Sequence, residues 1–93
     1  MYFAIYCLDK PGHAQLRAEN RAAHLDYLKS FGSRVAAAGP LLDDGQQMVG
    51  SLLILEFEGR AELDAFLAGD PYAKAGLFRS VEVRPWRKAI WQS

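Results

Sequence analysis

Two side chains in this sequence could work together in proton transfer near neutral pH: His24 as the group that moves the proton and Asp70 as the carboxylate that orients it. An imidazole titrates close to neutrality, and burial and partners tune that value in either direction. Such a group suits a general acid or base. On a wheel of about 100° per residue, Leu16, Tyr27, Leu28 and Phe31 form an apolar stripe with Leu25 at its margin. His24 falls in the middle of that stripe, while Gln15, Glu19, Asp26 and Lys29 lie opposite, where water should cover them. An inward histidine reads either as a core side chain with satisfied hydrogen bonds, which periodicity alone favours, or as an acid–base group. A carboxylate at Asp70 could accept the imidazole N–H, fix the tautomer and stabilise the imidazolium. Asp70 also stands directly before Pro71, and an N-cap followed by proline at the first helical position accounts for it without chemistry. Nothing in the sequence alone brings Asp70 beside His24.

Other residues could hold a ligand. Arg17 and Arg21 flank His24 on the wheel, with Asn20 on the same side, and a guanidinium there could hold a carboxylate or phenolate. Helix-surface arginines are usually solvated, which is the expectation for Arg17. The hydroxyl of Ser51 could bind substrate, but no G-x-S-x-G elbow or placed base supports a nucleophile. Gly39 and Pro40 could let backbone approach a ligand, or could mark a bulge. Tyr72 could hydrogen-bond a ligand or simply pack. His13, at the start of the helix, is expected to be exposed and without a role, and Trp86 and Trp91 read as packing or interface anchors. The two histidines have no neighbouring cluster of ligands, so no metal site is expected. There is no glycine-rich phosphate cradle, and no organic cofactor is expected.

The elements that must position these groups follow from the pattern of residues. Tyr2–Leu8 is β-branched and aromatic and reads as a strand, ended by the turn Lys10-Pro11-Gly12. His13–Phe31 reads as a helix that Gly32 caps with positive φ. Arg34–Leu42 reads as a second strand, in which Gly39-Pro40 points to a sheet edge or a bulge. Asp43-Asp44-Gly45 is a hairpin turn, and Met48–Phe57 is the strongest strand. Arg60–Ala68 is a second helix ended by Gly69, Asp70-Pro71 opens a short turn closed by Gly76, and Phe78–Arg84 is a last strand before a tail. The order βαββαβ predicts a ferredoxin-like α+β domain over residues 1–93, with both helices on one face of a four-stranded antiparallel sheet.

The third strand carries Leu53, Leu55 and Phe57 on one side and Leu52 and Ile54 on the other. A half-exposed antiparallel strand should alternate apolar with polar. Two helices cover one face, so the other face needs a cover, and a second copy of the sheet is the simplest. A homodimer packed sheet to sheet is therefore expected; a tail folded over the face of a monomer is the alternative.

Bulk properties set the outer bounds. At 93 residues and 51% apolar, the chain suits one small globular domain. Eleven basic and eleven acidic side chains cancel, which gives no field to gather phosphates or an anionic membrane. RNA-recognition domains share the βαββαβ order but display aromatic and basic residues on their central strands; Ser51–Phe57 is aliphatic and acidic, so no nucleic-acid partner is expected. Cys7 is the only cysteine, which fits a reducing compartment. The N-terminal run lacks a basic leader and cleavage site, and Met48–Phe57 is too short to cross a bilayer. A soluble cytoplasmic protein without a membrane partner is expected.

Several short segments in this order and spacing resemble the YciI-like (YCII-related) family along nearly the whole chain. They are Arg21–Leu25 (RAAHL), Ala38–Pro40 (AGP), Gly50-Ser51 before the apolar strand and Glu56-Phe57, Asp70–Tyr72 (DPY), Ala75-Gly76, and Pro85 near the end of the last strand. The family often has proline where this chain has Ala22. The resemblance implies a dimeric α+β barrel of two facing sheets and an active site built around His24 and Asp70. Architectural relatives include muconolactone-isomerase-like enzymes and cofactor-free monooxygenases, although a shared fold does not transfer a substrate. The combined expectation is a cofactor-independent enzyme that isomerises, or eliminates from, a small cyclic or aromatic oxygenated substrate. His24 and Asp70 would be catalytic, with Arg21, Ser51, Tyr72, Gly39 and Pro40 around the substrate. The alternative is a non-catalytic small-molecule-binding or accessory module of the same fold.

Overall fold

The β-branched and aromatic N-terminal run forms β1 (Tyr2–Asp9), the inner strand to which the sheet is tied on both sides. The computed structural model describes residues 1–91. Helix α1 (Ala14–Lys29) follows, then a single 3-10 turn (Gly32–Arg34), β2 (Val35–Leu42), β3 (Met48–Glu56), α2 (Arg60–Gly69), a one-turn helix α3 (Pro71–Lys74) and β4 (Phe78–Trp86). The strands lie in the order β2-β3-β1-β4 and all pair antiparallel. This is the ferredoxin-like α+β arrangement that the element order predicts. No helix of the described residues is long and apolar enough to cross a membrane.

One face of the sheet carries the core. Phe3, Ile5 and Cys7 of β1 and Leu53 and Leu55 of β3 meet Leu28 of α1 and Leu63 and Phe66 of α2, with Phe57 beside them. The period-two alternation of both strands sends these residues to the helices. The opposite face is open: Tyr6 and Leu52 pair across β1 and β3 and are 44% and 41% exposed. At one end of that face Trp86 packs edge-on against Tyr2 (5.8 Å), and Trp91 of the tail packs against Trp86 (6.2 Å). The tail thus covers a corner and leaves the centre bare.

Element ends differ from the sequence reading for physical reasons. Helix α1 stops at Lys29, where Ser30 N–H donates to Asp26 O and Phe31 N–H to Leu28 O; the 3-10 turn then closes with Arg34 N–H donating to Phe31 O. Gly32 keeps the expected positive φ (59°). In the β2–β3 hairpin the left-handed residue is Gln46 (φ 67°) rather than Gly45. Asp43 holds that turn, its Oδ1 accepting from Gly45 N–H and Gln47 N–H. Gly39-Pro40 marks an edge strand and not a bulge: both residues pair in regular register with Leu52 and Ser51, and the irregularities lie nearer the two ends of β2. Gly69 is the last residue of α2, where a Cβ would run into the Tyr27 hydroxyl. Strand β4 continues to Trp86, and Pro85 is tolerated because β4 is also an edge.

Candidate active site

Helix α1 presents Arg17, His24 and Leu28 as its buried residues, and α3 meets it from the side. The short α3 exists because Asp70 accepts the Tyr72 N–H (2.9 Å) and Pro71 occupies the first helical position. The same carboxylate oxygen, Oδ1, lies 2.8 Å from His24 Nδ1. Asp70 is 1% exposed. One oxygen does both jobs, so the residue that caps α3 is also the one that grips the imidazole.

The geometry assigns the tautomer. A carboxylate can only accept, so Nδ1 carries a hydrogen, and in the neutral ring Nε2 keeps its lone pair. Among the described residues Nε2 has no partner and no buried side-chain nitrogen or oxygen lacks one, so Nε2 is not sealed from the surface. Tyr72 stacks on the imidazole with centroids 3.9 Å apart and planes 16° from parallel. The Arg17 guanidinium lies 4.5 Å from the same Tyr72 ring. His24 and Arg17 are two turns apart on α1, about 10 Å along the axis. The tyrosine ring therefore fills the gap between them and keeps the imidazole from turning.

Arg17 departs from the solvated position expected of it. Its Nε donates to Asp9 Oδ2 (2.7 Å) and its Nη2 to Asp9 Oδ1 (3.1 Å), with side chains 5% and 7% exposed. Its Nη2 also donates to Ser51 Oγ (2.8 Å). Burial works against the Arg17 charge, but the hydrogen bond and charge of Asp9 outweigh it and raise its pKa above the ordinary value. Burial likewise pushes the Tyr72 phenol up, against the pull of Arg17 and Arg21, so Tyr72 stays protonated at neutral pH. Cys7 lies beneath the site, and burial with the charges of Asp70 and Asp9 pushes its thiol up to about 12, which makes it an inert packing group.

A cavity of about 140 Å³ opens over this cluster, lined by Arg17, Arg21, His24, Ser51, Tyr72 and the Ala38–Pro40 stretch of β2, with Leu25 and Leu28. Of the residues the sequence singled out, His24, Arg21, Ser51, Tyr72, Gly39 and Pro40 all line it, and Asp70 stands behind His24. Arg21 makes no ion pair among the described residues. His13 is apart from the cluster and bonds the carbonyl of Pro11. A larger concavity of about 490 Å³, between the β1–α1 loop and the start of β3, contains neither His24 nor Asp70.

The sequence reading missed Asp9. A signal was present: Phe3, Ile5 and Cys7 alternate inward, so Asp9 continues the same face, and an inward arginine needs such a partner.

Comparison with known proteins bears on this cluster. A family model described as the YCII-related domain matches residues 1–87. Protein YciI of Escherichia coli O6:H1 is 34% identical over 98 residues, spanning 97% of this chain and all of that protein. The solved structure of 5-chloro-2-hydroxyhydroquinone dehydrochlorinase (TftG) from Burkholderia phenoliruptrix AC1100, in complex with 2,5-dihydroxybenzoquinone, superposes with a TM-score of 0.88 at 41% identity. It covers 94% of both chains. An antibiotic biosynthesis monooxygenase at 16% identity and TM-score 0.55, covering 94% of this chain and 99% of the other, shares the fold alone.

Proposed function

The chain belongs to the YCII-related domain family, and on that premise we propose that it is an acid–base enzyme acting on a small oxygenated aromatic or cyclic compound. His24 Nε2 takes a proton from a carbon or hydroxyl of the bound compound, and Asp70 stabilises the imidazolium that results. The electron pair left behind forms a new double bond. In an isomerisation, His24 returns the proton to another atom; in an elimination from a hydroxylated ring, it returns the proton to the ring carbon that bears the leaving group, giving the keto tautomer, and removal of a second hydroxyl proton then expels that group as an anion. Either reaction needs no redox partner and no cofactor.

The observation that carries this reading is the 2.8 Å contact from Asp70 to His24 Nδ1 at the wall of a cavity, which leaves Nε2 as an available base. The cavity volume supports a single ring, since a cavity of about 150 Å³ accommodates benzene. Arg21 offers a charge that suits a phenolate or carboxylate. TftG, a dehydrochlorinase of a chlorinated hydroxyhydroquinone, supports elimination from a hydroxylated ring as the first reaction to assay.

The test is chloride release from 5-chloro-2-hydroxyhydroquinone by the native chain, His24→Ala and His24→Gln. Both variants should keep the native circular dichroism and lose roughly 10²- to 10⁴-fold in kcat. Native turnover in either variant, or a variant that merely unfolds while a folded His24→Gln stays active, contradicts the assignment.

We further propose that the open sheet face is covered by a second copy of the chain. The exposure of Tyr6 and Leu52 at the centre of that face supports it. A single buried free thiol also fits a reducing cytoplasm as the site of action.

A further inference from the structure

We infer that Ser51 is a catalytic residue that donates its hydroxyl hydrogen to a substrate oxygen as negative charge gathers there, and that Arg17 and Asp9 are the positioning residues that aim it. The inference rests on the proposed proton transfer at His24 and adds the group that would receive the displaced charge.

The argument starts from what each group can donate. Arginine has donors and no acceptor, so the 2.8 Å contact between Arg17 Nη2 and Ser51 Oγ can only run from arginine to serine. It occupies a lone pair on the serine oxygen and leaves the O–H free to point elsewhere. Among the described residues, no acceptor for that hydrogen is found. Ser51 is 2% exposed, yet it lines the same cavity as His24. A buried hydroxyl with an uncommitted hydrogen at a cavity wall is a donor awaiting a ligand acceptor.

Arg17 cannot release the serine oxygen easily. Its Nε and Nη2 clamp the two oxygens of Asp9, and a planar guanidinium held at two points has a fixed direction for its remaining hydrogens. A buried ion pair of this kind adds little net stability over apolar packing, so what it orients explains its place better than what it stabilises. The charge-assisted bond polarises the Ser51 O–H and strengthens it as a donor. The same bond weakens the oxygen as a nucleophile, in keeping with the absence of an elbow motif.

The two relays then divide the work. Asp70 and His24 withdraw a proton from one part of the ring; Asp9, Arg17 and Ser51 stabilise the oxygen on which the remaining electron pair is delocalised. No proton leaves Ser51, so the step balances as a hydrogen bond strengthened in the transition state.

The experiment has two arms. In the first, native protein, Ser51→Ala, Ser51→Thr and Arg17→Lys are compared in chloride release and in binding of 2,5-dihydroxybenzoquinone followed by its visible absorbance across pH. Ser51→Ala should lower kcat by roughly 10²- to 10³-fold with a smaller change in KM. It should bind the quinone anion at least tenfold more weakly, and Ser51→Thr should restore both. Arg17→Lys should fall between. Ser51→Ala with native kcat and native anion affinity overturns the inference while leaving the His24 reading intact. In the second arm, a neutron structure of the ligand-free protein locates the Ser51 deuterium. Density aimed into the cavity supports the inference; density aimed at a backbone carbonyl overturns it. Should the native protein neither bind the quinone nor release chloride, the aromatic-substrate reading falls, and the neutron arm still decides Ser51.

Discussion

At the scale of the residue, the site depends on one carboxylate oxygen with two tasks. Asp70 Oδ1 accepts from His24 and from the Tyr72 amide. An asparagine amide oxygen can accept both bonds but carries no charge. Asp70→Asn should therefore keep the fold, with a denaturation midpoint near native, and lose roughly tenfold or more in kcat because the imidazolium is no longer neutralised. Asp70→Ala removes the cap and leaves a buried imidazole N–H unpaired, costing about 2–4 kcal/mol in urea unfolding. The inward position of His24 and the capping role of Asp70 were legible in the sequence, because periodicity and the Asp-Pro pair each have a local cause. Their proximity was not, because it is set by the packing of α3 on α1. Arg17 was misjudged because exposure is the usual fate of arginine, and the buried partner that reverses it is eight residues away on another element. Cys7 adds a pH effect. Burial raises its folded pKa from the ordinary 9.0 to about 12, so the stability it contributes is complete below pH 9 and is lost as pH rises toward 12. The loss should approach about 4 kcal/mol. Urea midpoints across this range should show that alkaline decline in native protein and a flatter one in Cys7→Ala.

At the scale of the element, side-chain periodicity gave the sheet and both long helices, and the departures cluster where backbone needs compete. Gly69 illustrates this. Its apparent function in the sequence is to end α2, but in the structure it clears space for Tyr27, whose hydroxyl donates to Phe66 O (2.9 Å). Gly69→Ala should push that hydroxyl away and cost about 1 kcal/mol, close to the worth of one hydrogen bond. Tyr27→Phe removes the same bond and the nearest atom the new methyl would meet, so the two substitutions should not add. A double-mutant cycle in urea should give a coupling of about 0.5–1 kcal/mol, whereas strict additivity would show that the glycine serves only the helix end. The hairpin shows the same competition: Asp43 holds the turn so firmly from its side chain that Gln46 takes the left-handed conformation that glycine would ordinarily supply.

At the scale of the whole molecule, the double-sided apolar strand pointed to an unfinished surface, and the structure shows where it lies. The core face is closed by α1 and α2, the tail covers a corner at Trp86, and Tyr6 and Leu52 stand open between. The identity of the cover was not legible in the sequence, because a sheet face can be buried by any apolar partner. If a second copy covers it, Leu52→Glu places two unpaired charges in the interface. Sedimentation equilibrium should then show a dimer for the native chain and a folded monomer for the variant. A native monomer would contradict the pairing. The account as a whole turns on a single imidazole acting as the base over the cavity. The most direct test is chemical rescue: free imidazole added to His24→Ala. Chloride release from 5-chloro-2-hydroxyhydroquinone should return in proportion to the unprotonated imidazole in solution. A folded His24→Ala protein that imidazole leaves inactive, or that needs no imidazole at all, would contradict the claim.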